Sequence, residues 1–177
     1  LKSEFIQAFY EGRFSGVACG ALYRTSTVGL FRFQENLYYE DSDYFTNLLL
    51  NTEKGYVSSR GSYRYLHRIG SSQLTPYDEK RLMDRVCIIL FRIEQFNILN
   101  PELSKKHQDV ETRLYYTIKT AKAKRIKGAN KVFNYLCSRM HYPVLTNIKE
   151  EIKIKLYMLF GYDRIISLFS SLHIMKR

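Results

Sequence analysis

The chain has 177 residues, of which 45% are hydrophobic and 15% aromatic, and a formal net charge of +11. That composition excludes a disordered or low-complexity chain and allows one domain, or a small domain with an appendage. Three widely spaced cysteines, Cys19, Cys87 and Cys137, form no CxxC pair or Cys/His cluster, which argues against a disulfide framework or zinc site and for a reducing compartment.

Leu1 opens the chain with no n-region, h-region or cleavage site after it, so the sequence reads as a piece of something longer. "SEFIQAFYEG" predicts a helix ending at Gly12, and "GVACGALYR" an extended segment of small residues. "SDYFTNLLLN" predicts a short helix with Phe45, Leu48 and Leu49 on one face. "GYVSSRGSYRYLHR" predicts two short strands around Gly61. A boundary falls near "GSSQLTP", Gly70 to Pro76.

Beyond it the pattern is helical. Thr75 can cap, Pro76 suits a first turn, and Leu82, Val86, Ile89, Ile93 and Phe96 recur at helical spacing up to Asn100-Pro101. A second helix follows, with Leu103, Val110, Leu114, Ile118 and Ala121 inward and Gly128 as its stop. Val132, Phe133, Leu136 and Met140 mark a third, and Ile148, Ile152, Leu156 and Leu159 a fourth ended by Gly161. Ile165, Ile166, Phe169 and Leu172 mark a fifth, whose uncharged stretch Ile165–Met175 is too short to span a bilayer. Short connections imply antiparallel neighbours in a bundle.

Charge is uneven along the chain. Residues 1–75 carry 8 basic and 7 acidic side chains, residues 76–177 carry 20 and 10, and Lys119–Lys131 holds six bases and no acid. Such a surface attracts phosphate, as anionic lipid, nucleic acid or a phosphorylated ligand. Nucleic acid is the disfavoured member of that set, because the bases scatter over several helices without a recognition motif. His107, His141 and His173 have no partners at ligand spacing and read as surface or core-edge residues.

The acids of "LYYEDSDYF", Leu37–Phe45, admit three readings. Asp41 or Ser42 can cap the helix, with Asp43 in its first turn, where the dipole favours a carboxylate. Asp41-Ser42-Asp43 can hold a divalent ion if the backbone is extended. A carboxylate at a helix start can also serve as a general base toward a hydroxyl held within reach.

Residues 15–75 resemble the second half of a family 2 (GT-A type, inverting) glycosyltransferase catalytic domain. The likeness lies in ordered pieces: Leu22-Tyr23-Arg24, then Phe33 with Glu35, then Glu40-Asp41 with Phe45 and a leucine-rich helix, then Tyr63, Tyr65, Arg68, Gly70 and Ser71. It implies that Asp41 deprotonates the acceptor hydroxyl and that Glu40 shapes the acceptor site. It further implies that His67, Arg68 and Ser71 lie over the donor diphosphate, whose developing charge needs such donors. Two departures stand out: Gly20-Ala21 replaces a lysine common in relatives, and the nucleotide-binding half with its metal-binding Asp-x-Asp does not precede residue 15.

The expected fold is therefore α+β and mainly helical. It comprises an acceptor-side half of a GT-A domain with short strands over residues 1–75, then a basic helical C-terminal domain over 76–177. The expected function is transfer of a sugar from a nucleotide-sugar to a glycan or lipid-linked acceptor in cell-surface polysaccharide synthesis. The chain itself would be inactive alone and hold no cofactor, with Mg²⁺ or Mn²⁺ in the complete enzyme. The expected location is cytoplasmic, peripheral at the inner face of the cell membrane. The alternative is a basic helical module that binds an anionic membrane surface or nucleic acid, or forms a homo-oligomer.

Overall fold

In a computed structural model of the chain, residues 2–14, 16–29, 31–58, 60, 63–64, 66 and 76–161 are described. Seven α-helices occur among them: α1 (Lys2–Tyr10), α2 (Thr25–Val28), α3 (Glu40–Asn51), α4 (Glu79–Leu99), α5 (Ser104–Ala123), α6 (Ala129–Arg139) and α7 (Ile148–Phe160). No strand occurs among the described residues. The α+β expectation, a GT-A half with short strands, is thereby overturned. The reason is visible where strands were expected. Tyr56 is 93% exposed, and Val57 and Tyr63 are exposed as well, so among the described residues of that segment neither face is buried. A hairpin without a face to bury is not stable by itself. Gly16–Gly20 likewise forms bends and turns, with Gly20 at φ 81° and the Tyr23 hydroxyl donating to the Ala18 carbonyl at 2.7 Å.

Two compact units divide the chain, and neither is continuous in sequence: residues 1–76 with 84–107, and residues 77–83 with 108–177. In the first unit, α1 and α2 pack on α3. Ile6, Phe45, Leu48, Leu49 and Phe96 form its core, flanked by Phe5, Phe9, Tyr10 and Phe14. Helical spacing puts Phe45, Leu48 and Leu49 on one face of α3. The Phe9 ring lies 5.7 Å from Phe45 and edge-on to Phe96 at 6.3 Å, and Phe5 stacks on Phe14 at 4.7 Å. Each fully buried aliphatic or aromatic side chain of this kind contributes about 1.5–3 kcal/mol.

The second unit is clipped together by α5. Along one face of that helix, Glu111 accepts from the backbone amides of His141 (2.9 Å) and Tyr142 (2.8 Å), and the Thr112 hydroxyl accepts from Leu145 N (3.2 Å). The Tyr116 hydroxyl accepts from Asn147 N at 3.0 Å, while Gln108 Nε2 donates to the Pro143 carbonyl at 2.9 Å. Side chains of a helix thus satisfy backbone groups that strand pairing would otherwise satisfy. His141 is drawn into this set through Nδ1, 3.0 Å from Glu111, whereas His107, expected at the surface or core edge, is fully buried in the first unit.

Caps differ from the sequence expectation in instructive ways. Asp78 caps α4, accepting from Arg81 N at 2.8 Å, and Thr75, the expected cap, lies outside the described residues. Gly128 (φ 79°) is the N-cap of α6 rather than the stop of α5, and a Cβ there would meet the Glu79 side chain. Asn147 caps α7 by accepting from Glu150 N at 3.2 Å.

Candidate functional site

The acids at the start of α3 occupy a turn that is locked from two directions. Helix α3 begins at Glu40 behind Tyr39, whose φ of 64° is left-handed and which offers no side-chain cap. Asp41 or Ser42, expected as the cap, lie inside the first turn. Asp41 still performs part of that role: its Oδ1 accepts from Ser42 N at 2.7 Å. A bulky non-glycine residue at positive φ is unusual and persists only where its surroundings hold it. Here Asp84 accepts from Tyr38 N at 2.9 Å, the Arg85 guanidinium lies 5.9 Å from the Tyr39 ring centre, and the Tyr39 carbonyl accepts from Ser42 N (2.9 Å) and Asp43 N (3.2 Å).

Arg92 holds the second side. Its Nε donates to the Thr46 hydroxyl at 2.8 Å, and its Nη2 donates to the Ser42 carbonyl (2.8 Å) and hydroxyl (2.6 Å). The guanidinium also lies 5.1 Å from the Phe9 ring centre. Burial pulls its pKa below the usual value, with Tyr10, Asp43 and Asp41 acting in the opposite sense.

The three acids part company on this turn. Glu40 is exposed, Asp41 half-buried and Asp43 buried at 8% exposure, where Asn47 Nδ2 donates to its carboxylate at 3.3 Å. Residues two apart project to opposite sides of a helix, so Asp41 and Asp43 do not converge on one ion as the extended-backbone reading required. Among the described residues no group of three or more His, Cys, Asp or Glu is placed to hold a metal. Burial raises the Asp43 pKa above its ordinary value, and Arg92 partly offsets this. A carboxyl raised by folding stabilises the fold at low pH, and that contribution is lost as pH rises through its folded value. Wild type is therefore expected to lose stability relative to Asp43→Asn as pH rises above the ordinary carboxylate range, checked by amide hydrogen exchange across α3 at a series of pH values.

An aromatic pair lies one turn further along α3. Tyr44 is three and four residues beyond them, and helix side chains lean toward the N-terminus over the preceding turn. Phe33 stacks on Tyr44 with ring centres 4.4 Å apart and planes 20° apart, and Phe31 meets the same ring edge-on at 6.5 Å. Phe33 remains 51% exposed. Phe33 thus offers a half-open aromatic ring beside a helix whose first turn carries Glu40 and Asp41, and such a ring suits the apolar face of a sugar.

Of the residues expected at the donor diphosphate, His67, Arg68 and Ser71 all lie outside the described residues. Within the first unit, Leu22 is fully exposed and Tyr23 packs against the core. Sequence reasoning missed Arg92 and Asp84, which brace the site from 46–50 residues away. No local pattern marks them, because each reads as an ordinary polar position on α4.

The basic run in the second unit is largely spent on intramolecular contacts. Lys119 pairs with Glu151 at 2.6 Å and Lys131 with Glu79 at 2.7 Å. Lys122 lies 4.8 Å from the Phe133 ring centre and Lys124 lies 5.7 Å from that of Tyr157. Four of the six bases between residues 119 and 131 therefore have partners in the fold. No protein-family model, curated protein or solved structure matches the chain. Among the described residues no helix is long and apolar enough to cross a membrane.

Proposed function

We propose that the first unit carries the acceptor side of an inverting glycosyltransferase of the family 2 type, with Asp41 as the proton acceptor. The observation that supports this reading is the half-exposed Phe33 ring stacked on Tyr44, one turn along α3 from Glu40 and Asp41. The acceptor sugar lies on Phe33, and Glu40 bonds its hydroxyls. Asp41 takes the proton of the attacking hydroxyl as its oxygen bonds to the anomeric carbon of the donor and the nucleoside diphosphate leaves from the opposite side. His67, Arg68 and Ser71 are assigned to the leaving diphosphate, whose charge they match. The nucleotide-sugar and the Mg²⁺ or Mn²⁺ of the diphosphate are partners of the complete enzyme, with a saccharide or lipid-linked acceptor at a peripheral, cytoplasmic location.

Glycan-array binding tests this reading. The chain is expected to retain saccharides weakly, and Phe33→Ala to lower that retention about tenfold, the value of one lost aromatic contact. Retention unchanged by Phe33→Ala removes the acceptor site from α3.

A further inference from the structure

Helix α7 turns outward three of the four apolar residues that mark it in the sequence, while Leu156 is half-buried. Ile148, Ile152 and Leu159 are 70%, 54% and 75% exposed, whereas Ile154 and Tyr157 are the residues it buries. At 3.6 residues per turn, the three exposed residues fall within a sector of about 40°. Lys155 borders that sector on one side, and Lys149 and Lys153 continue round the other, all exposed. Of the acids of the helix, Glu151 pairs with Lys119 at 2.6 Å, and Glu150 pairs at 3.2 Å with Lys153, itself one of the flanking cations. The outward surface is consequently an apolar strip between cations.

We propose that this face of α7 docks on an anionic lipid surface, with Ile148, Ile152 and Leu159 below the headgroups and Lys149, Lys153 and Lys155 against the phosphates. The stripe rises only about 16 Å, half a bilayer core, so the helix lies in the interface plane rather than crossing it. Long lysine stems let apolar neighbours insert while the ammonium groups stay at phosphate level. A second copy of the chain fits the same face poorly, since a two-fold contact would set lysines 149, 153 and 155 against themselves. The docking residues are neither the Lys119–Lys131 run nor the α3 turn, so this inference stands independently of the sugar-transfer reading.

Co-sedimentation of the full chain with phosphatidylcholine vesicles, with and without phosphatidylglycerol, tests it. Binding is expected only with the anionic lipid. Ile152→Ser with Leu159→Ser is expected to weaken it at least about tenfold at unchanged helix content by circular dichroism. Replacing Lys149, Lys153 and Lys155 by alanine is expected to cost about 10²-fold. Changing Lys124, Arg125 and Lys127 to alanine should leave it within about twofold. No sedimentation with phosphatidylglycerol vesicles overturns the proposal, as does binding that survives the paired serine change. Self-association seen by light scattering and abolished by that change, without vesicle binding, also overturns it and gives the face to a second copy.

Discussion

On the proposed sugar-transfer reading, Asp41→Asn is expected to lower transfer about 10²–10⁴-fold while leaving nucleotide-sugar binding unchanged, the range typical of a lost general base. Asparagine is isosteric, and its amide oxygen can still accept from Ser42 N, the bond that Asp41 Oδ1 makes at 2.7 Å. The helix start is thus retained while the proton acceptor is removed. Asp43→Asn serves as the comparison: Asp43 is buried and bonded to Asn47, and its loss should leave turnover largely intact. Turnover assays with calorimetric donor binding check both. Near-normal transfer by Asp41→Asn, or a matching loss in Asp43→Asn, would remove Asp41 from the reaction.

Arg92→Ala is expected to destabilise the first unit by about 3 kcal/mol, the cost of breaking a buried charged network by deleting one member. The change removes three hydrogen bonds, to the Ser42 carbonyl, the Ser42 hydroxyl and the Thr46 hydroxyl, and takes the compensating charge from beside Asp43. Arg92→Lys should recover only part of the loss, since a single ammonium cannot reproduce the planar fork that reaches Ser42 and Thr46 together. Because the chain divides into two units, one unfolding midpoint does not define its stability. Amide hydrogen exchange across α3 gives the local value. A loss under about 1 kcal/mol would mean that Arg92 merely rests on the helix.

Much of the helical order was legible in the sequence because apolar spacing reports helices directly. Phe45, Leu48 and Leu49 on α3 and Leu114, Ile118 and Ala121 on α5 were all expected inward and are buried. The strands were misread for a physical reason: Tyr and Arg alternate around Tyr63-Arg64, but alternation marks a strand only when a neighbour covers one face. Helix α7 shows the same limit in another form. Ile148, Ile152 and Leu159 do form a stripe, yet periodicity says nothing about what covers it, and Ile154 and Tyr157 are buried instead. The cap of α4 was expected at Thr75, which lies outside the described residues, while Asp78 is seen to accept from Arg81 N. At the α3 turn, the acids and the aromatics were legible, but the bracing by Arg92 and Asp84 was not. Those contacts depend on tertiary placement that no local pattern encodes.

The location of bound saccharide is the most direct test of the α3 acceptor site. The isotope-labelled chain would be titrated with a panel of hexose and N-acetylhexosamine oligosaccharides, and amide shifts mapped by NMR. Saturable shifts are expected at Phe33, Glu40, Asp41 and Tyr44, and they should vanish in Phe33→Ala. Shifts confined to the Lys122–Lys127 turn, or no saturable shift with any saccharide in the panel, would contradict an acceptor site on α3.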